Sequence, residues 1–177
     1  MKTVFIAMSL VVAAFAAACT TSEAPVYEAQ QVEVSSLMAS PGYAWFPAEM
    51  SVYTPATSAV ESIQSSFDVK DQKVVIFVKP ACSCRGTMRL FPQIVKTLRA
   101  AGVPDANIEI WSMRSEADKQ PYAPTITITD LPTIHVFRNG STSAIVLESE
   151  YNERNADSLI RSEERRVGKE CRSRWSP

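Results

Sequence analysis

Two cysteines separated by one residue are the groups in this chain best suited to chemistry. Cys82 and Cys84 flank Ser83, directly after an apolar run and directly before a helical pattern. A thiol at the first turn of a helix faces unpaired backbone N–H groups and the positive end of the helix dipole, which stabilise its thiolate. We therefore predict a redox pair in which Cys82 is the attacking sulfur and Cys84 the resolving thiol. Arg85 would add positive charge beside them.

The spacing of this pair has its own consequence. Closing a disulfide across one intervening residue makes a ring of about 11 atoms, with little freedom to reach the preferred dihedral angle. That restriction favours the dithiol form and raises the reduction potential. The spacing therefore predicts an oxidant or an isomerase rather than a reductant.

The elements that position the thiols can be predicted from apolar patterns. The unbroken run KVVIFVK is typical of a central strand buried on both faces. The predicted elements are helices over residues 58–67, 87–101 and 155–160, and strands over residues 73–79, 107–113, 134–138 and 143–148. Pro92 is expected to kink its helix, and Asn139-Gly140 predicts a hairpin. Alternating strands and helices predict an α/β fold.

Two segments carry a family resemblance. PACSC follows the predicted central strand, and LPTIHVFRNG lies about fifty residues later. Residues 56–160 resemble the thioredoxin-like superfamily through these segments. The resemblance implies a central mixed sheet of four to five strands flanked by helices, and a cis bond between Leu131 and Pro132. It also implies that Leu131, Pro132 and Thr133 bind an extended segment of the substrate opposite the thiols.

His135 is the only histidine, and it stands where an apolar strand residue is usual in the resembling segment. We interpret it as a structural histidine, with no metal bound. The alternative is a soft-metal site for Cu(I) or Zn built from Cys82, Cys84 and His135, because thiolate and imidazole suit both ions. Copper-delivery proteins of the resembling superfamily combine two cysteines with a distant histidine.

The beginning of the chain has the pattern of an export signal. Residues 1–18 carry one basic residue and then an uncharged run that ends in three alanines. Cys19 follows directly, and this resembles the lipobox of bacterial lipoproteins. The resemblance implies lipidation of Cys19 and a periplasm-facing location in the cell envelope, in the outer membrane rather than the inner because Thr20 follows. A soluble periplasmic protein is the alternative.

Two segments lie outside the predicted domain. Residues 20–55 are rich in Ser, Ala, Pro and Glu, which predicts a flexible tether whose last part packs on the domain edge. Residues 161–177 form a basic string that we interpret as a non-native tail, with a basic tail for nucleic acid or anionic lipid as the alternative. Residues 19–160 are net acidic, so we expect no nucleic-acid partner.

Three functions fit this pattern. The first is a thiol–disulfide oxidoreductase that acts on protein thiols and disulfides in the cell envelope, with a thiol reductant or oxidant as partner and the Cys82–Cys84 disulfide in place of a cofactor. The second is a Cu(I)-binding or Zn-binding metallochaperone. The third is a redox-inactive structural or adaptor lipoprotein. A single histidine and the lack of a glycine-rich phosphate loop argue against a hydrolase triad and a nucleotide site.

Overall fold

A computed structural model describes residues 26–147 of the chain. Its strands are β1 (Gln30–Gln31), β2 (Gln72–Val78), β3 (Ile108–Ser112), β4 (Thr133–Arg138) and β5 (Ser141–Leu147). Its helices are α1 (Val34–Leu37), α2 (Phe46–Val52), α3 (Thr57–Ser66) and α4 (Phe91–Ala100), with short 3₁₀ turns at Pro41–Tyr43 and Asp105–Asn107 and a π-helical turn at Gly86–Leu90. The predicted signal peptide, Cys19, the helix over 155–160 and the tail lie outside the described residues.

Strand β2 is the centre of a five-stranded mixed sheet with the order β1-β3-β2-β4-β5. Its β-branched and aromatic residues from Val74 to Val78 are all buried, as a strand covered on both faces requires. It pairs in parallel with β3 and antiparallel with β4. The predicted α/β class, with a mixed sheet and flanking helices, is confirmed, and the arrangement is consistent with a thioredoxin-like fold.

The β4–β5 hairpin also follows the prediction. Its turn is Asn139-Gly140, with φ of 50° and 76°. Both residues reach positive φ at low cost, and two such residues give the turn whose twist matches that of paired strands. The Asn139 amide donates a hydrogen bond of 2.8 Å to the carbonyl of Asp71, which ties the turn to the start of β2.

The two faces of the sheet are covered differently. Helices α1 to α4 all contribute to one apolar core, which we call the helix face. Its members include Val34, Leu37, Phe46, Ile63, Val74, Ile76, Phe91, Ile94, Ile110 and Ile134. The opposite face, which we call the loop face, is covered by the irregular segment 114–131; its core is Val75, Phe77, Met113, Ile126, Ile128, Leu131 and Phe137.

Residues 30–52 pack on the domain more extensively than predicted, since only the last part of the tether was expected to do so. β1 pairs antiparallel with β3, and α1 and α2 bury Leu37 and Phe46 completely in the helix face. Their Ser, Ala and Pro content resembles that of a linker, but a few apolar side chains at the right positions are enough to dock short helices on an existing core. The ordered domain therefore extends well before residue 56.

The helix after the cysteines begins with a π-helical turn, and Pro92 is the physical reason. Pro92 has no N–H, and its ring would collide with the carbonyl four residues earlier in a regular α-helix. The Phe91 amide instead donates to the carbonyl of Gly86, five residues earlier. The predicted disturbance at Pro92 thus takes the form of a local widening of the helix.

Candidate redox site

The loop from β2 to the helix carries both cysteines. The carbonyl of Val78, the last residue of β2, accepts a hydrogen bond of 2.9 Å from the Met113 amide. After Pro80 the chain turns at Ala81, whose φ is +53°, in the left-handed region. That turn leads the chain out of the sheet and into Cys82.

Cys82 and Cys84 are joined as a disulfide. Their Cα atoms are 5.3 Å apart, within the range of protein disulfides. Both cysteines are half-buried, and Ser83 between them is exposed. The pair is therefore open to solvent on one side, as exchange with another protein requires.

The local polar contacts favour a negative charge on the first sulfur. The Cys84 amide donates a hydrogen bond of 3.2 Å to Sγ of Cys82. The carbonyl of Cys84 accepts the hydrogen bond from the Met88 amide at 3.0 Å, two residues before the helical turn that begins at Gly86. Two basic residues, Lys79 before the pair in the chain and Arg85 after it, are both exposed to solvent. The predicted placement of the thiols at a helix N-terminus is confirmed.

Pro132 leaves the sheet at the same end as the cysteines. Phe77 of β2 is paired with Thr133, the first residue of β4. Since the two strands are antiparallel, Pro132 comes beside Val78, four residues before Cys82. The Leu131–Pro132 bond is cis, as predicted.

The residues predicted to bind substrate turn their side chains inward. Leu131, Pro132 and Thr133 are all buried. The amide of Leu131 donates a hydrogen bond of 2.9 Å to Oδ1 of Asp130, which is half-buried. A substrate at this position would therefore have to bind backbone groups. It would compete with the Asp130 carboxylate for the hydrogen bond of the Leu131 amide.

His135 lies inside the loop face and not with the thiols. Its ring is 2% exposed and meets the Phe77 ring edge-on, with 5.7 Å between centroids. Nε2 lies 3.4 Å from Oγ1 of Thr133. Burial lowers the pKa of His135 to about 4, so the imidazole is neutral at physiological pH.

The three-residue metal site considered from the sequence is not assembled. Within residues 26–147, no three His, Cys, Asp or Glu side chains are grouped so that they could hold a metal ion. The reason is the alternation of side chains along β4: His135 points into the loop face, while the helix that follows the cysteines packs on the helix face. His135 is accordingly a core residue in this fold.

A second polar cluster, not anticipated from the sequence, lies at the far end of β2. Lys73 contacts Glu109 at 3.1 Å and the Tyr122 hydroxyl at 2.5 Å. The Tyr122 hydroxyl and the Trp111 indole both donate to Glu109. Burial alone would raise the pKa of Glu109, but these hydrogen bonds and the Lys73 charge outweigh it and lower the pKa. The cluster holds the segment 114–131 against the sheet.

Compared with known proteins, the chain matches no family model and no curated protein. The site must therefore be interpreted from its own geometry. In the described part of the chain, no helix has the length and apolar character needed to cross a membrane.

The sequence analysis did not predict one contact of the candidate redox site. The carbonyl of Gly42 accepts a hydrogen bond of 2.8 Å from the Ala81 amide, next to Cys82. The available signal was the aromatic cluster at Tyr43, Trp45 and Phe46, which is unusual for a tether. Nothing in the local pattern, however, indicated which distant loop this cluster would meet.

Proposed function

We propose that this chain is a thiol–disulfide oxidoreductase that acts on protein thiols. The observation that supports it most directly is the accessible Cys82–Cys84 disulfide at a helix N-terminus, at the sheet end where the Leu131–Pro132 bond also lies. The hydrogen bond from the Cys84 amide to Sγ of Cys82 suits a sulfur that carries negative charge after reduction. When the reduced pair attacks a substrate disulfide, Cys82 is the nucleophile and Cys84 resolves the mixed disulfide; in the oxidising direction, Cys82 is the sulfur that the substrate attacks.

The exchange proceeds in two displacements. A substrate thiolate attacks Sγ of Cys82, the Cys82–Cys84 bond breaks, and Cys84 leaves as a thiolate. A second substrate thiolate attacks the substrate sulfur of the mixed disulfide and releases Cys82 as a thiolate. The substrate dithiol loses two electrons to the pair, and its two protons pass to solvent. An oxidising partner of the disulfide class then restores the Cys82–Cys84 bond.

The direction of exchange follows from the spacing. A disulfide across one residue is harder to close than one across two, which favours the dithiol. We therefore propose oxidase-like or isomerase-like activity. In the isomerase mode, the reduced pair attacks a wrong substrate disulfide through Cys82, and the substrate's own thiols displace it again.

The location belongs to the same proposal. Lipidation of Cys19 would hold the domain at the periplasmic side of a membrane, with the outer membrane preferred. Disulfide exchange suits that oxidising compartment. The partners would be exported proteins with free or mispaired cysteines, and a thiol reductant or oxidant that resets the pair.

The decisive experiment uses single cysteine variants of the full chain. Cys82→Ser should abolish oxidation of a reduced dithiol peptide and reactivation of scrambled ribonuclease. Reduced Cys84→Ser, mixed with a disulfide-bonded peptide, should accumulate a mixed disulfide between Cys82 and one peptide sulfur, visible by intact mass. The Cys82 thiolate breaks the peptide disulfide and frees its other thiol, and the resolving thiol of Cys84 is missing. Cys171→Ser is the matched control, since it removes a thiol that is not part of the Cys82–Cys84 pair and should leave both activities unchanged.

Two results would contradict the proposal. Full activity of Cys82→Ser would show that the pair is not the reactive group. A Cys82–Cys84 disulfide that stays oxidised in excess dithiothreitol under native conditions would favour the structural or adaptor function instead.

Asp130 offers a separate test of substrate binding. Asp130→Ala frees the Leu131 amide, and we expect KM for a dithiol peptide to fall about twofold to fivefold, as the loss of one competing hydrogen bond allows. Asp130→Asn keeps an acceptor oxygen but removes the charge. If both variants lower KM equally, the effect is one of charge and not of the freed amide.

A further inference from the structure

A turn far from the cysteines in sequence supports their loop. The 3₁₀ turn Pro41–Tyr43 lies against the segment that leads from β2 to Cys82. The carbonyl of Gly42 accepts the hydrogen bond from the Ala81 amide at 2.8 Å. A Cβ atom added at Gly42 would lie only 3.1 Å from Cβ of Pro80, tighter than nine in ten contacts of this kind. A side chain at Gly42 would therefore require the Pro80 segment to shift by a few tenths of an ångström.

The residue held by this hydrogen bond has an unusual conformation. Ala81 has a φ of +53°, which an alanine adopts rarely because its Cβ crowds the following carbonyl. Such a residue persists only where its surroundings fix it. The Gly42 carbonyl is the contact that fixes the amide of Ala81, directly before Cys82.

The turn is itself anchored to the helix that follows the cysteines. Tyr43 is 3% exposed, and its ring meets the Phe91 ring edge-on at 6.0 Å between centroids. One short turn therefore contacts both the loop before Cys82 and the helix after Cys84.

We infer that Gly42 is a positioning residue for the redox pair. This inference rests on the proposed function and identifies what aligns its nucleophile. By holding Ala81 in the left-handed region, Gly42 keeps Sγ of Cys82 at 3.2 Å from the Cys84 amide, where the thiolate is stabilised. Gly42 itself touches neither the sulfurs nor a substrate.

The test is the pH profile of Cys82 alkylation in the reduced full chain with Gly42→Ala. Gly42 does not have a left-handed φ, so alanine changes only the contact with Pro80. We expect the pH of half-maximal iodoacetamide reaction at Cys82 to rise by about half a unit to one unit, and the rate at pH 7 to fall about threefold to tenfold. Fragment mass spectrometry separates the label on Cys82 from that on Cys84.

A rescue variant isolates the contact. Pro80→Gly removes the Cβ atom that the new methyl would meet, so Gly42→Ala in the Pro80→Gly background should have the same pH profile as Pro80→Gly alone. If Gly42→Ala still shifts the profile in that background, the effect does not come from this contact and the inference is wrong.

A stability control tests whether lowered stability of the whole fold could by itself shift the Cys82 profile. The control is Ile63→Val, a substitution in α3, away from the loop. Its alkylation profile and that of Gly42→Ala are each measured at the same number of degrees below the Tm of the variant. We expect no shift of the Cys82 profile in Ile63→Val. An equal shift there, or no shift in Gly42→Ala, would overturn the inference. If the wild type lacks oxidoreductase activity but the Gly42→Ala shift is present, the proposed function fails while the positioning role stands.

Discussion

The helix face and the loop face of the sheet are held by different kinds of interaction. On the helix face, apolar and aromatic side chains form the core, and the buried polar side chains beside them are two threonines of the covering helix, Thr87 and Thr97. On the loop face, Thr133, His135 and Asp118 are buried polar groups, and Lys73 and Glu109 form a partly buried ion pair. The two faces share the same strands, so the difference comes from what covers them.

The difference follows from backbone hydrogen bonding. A helix satisfies most of its own N–H and C=O groups, so its docking on the sheet depends mainly on apolar contacts. The irregular segment 114–131 cannot do this and uses side chains instead. Asp118 accepts hydrogen bonds from the Arg114 amide at 2.6 Å and the Ser115 hydroxyl at 2.8 Å. A loop that covers a sheet therefore brings polar groups into the interior with it.

Truncation of an aromatic ring should cost most on the helix face. Phe91 is fully buried and meets the rings of Tyr43, Trp45 and Phe46. Phe91→Ala should lower the free energy of unfolding by about 4 kcal/mol, and Phe137→Ala on the loop face by about 3 kcal/mol. Urea unfolding measures both. A larger loss at Phe137 would reverse the comparison.

Asp118 should give the next largest effect. Burial alone would raise the pKa of Asp118, but the hydrogen bonds it accepts from Arg114 and Ser115 outweigh burial and lower it. Asp118→Ala leaves those donors unpaired and should cost about 3 kcal/mol. Asp118→Asn keeps one acceptor oxygen and should cost about half as much. Hydrogen exchange at Arg114 and Ser115 should rise in the alanine variant, and unchanged exchange would contradict this role.

His135 should make the loop face sensitive to acid. The pKa of His135 is about 4 in the folded chain and about 6.5 in the unfolded chain, so the unfolded state takes up the proton first. Stability is then lost as the pH falls from about 6.5 towards 4, by roughly 2 kcal/mol between pH 7 and pH 4.5. His135→Val should remove this part of the loss. An identical pH dependence in both proteins would show that the histidine is not the cause.

The ion pair between Lys73 and Glu109 should contribute least to the free energy of unfolding. Lys73 and Glu109 are 39% and 19% exposed, so solvent screens their attraction. Lys73→Gln should change the free energy of unfolding by less than about 1 kcal/mol. Arg99→Gln, which breaks the exposed Arg99–Asp105 pair, is the matched control with a similarly small expected effect. A loss above 2 kcal/mol at Lys73 alone would mark the cluster as a buried network.

Local patterns were sufficient to predict the strands around the redox site. The structures of the run KVVIFVK and of the Asn139-Gly140 turn are determined by residues that are adjacent in the chain. The bounds of β2 and of both hairpin strands therefore agree with the prediction to within two residues. The cis bond at Pro132 was expected only from the resemblance to the thioredoxin-like superfamily, because most X–Pro bonds are trans.

Contacts between distant segments could not be predicted in this way. Helix α1 has only four residues, too few to show an apolar period. The hydrogen bond between Gly42 and Ala81 joins backbone groups of residues far apart in the chain, and the side-chain type of neither residue indicates such a bond. The burial of His135 could not be predicted either, because it depends on which face of the sheet the irregular segment 114–131 covers.

The early start of the ordered domain bears on how close it can lie to a membrane. The Tyr27 carbonyl already accepts a hydrogen bond of 2.8 Å from the Lys119 amide. With Cys19 lipidated as proposed, residues 20–26 are the only ones between the acyl chains and Tyr27, the first residue with this contact. At about 3.5 Å per extended residue, that distance is at most about 25 Å, against more than about 100 Å for a tether that ran to residue 55. Substrates would then have to reach the disulfide close to the bilayer surface, which favours proteins that are themselves emerging from or resting on that surface.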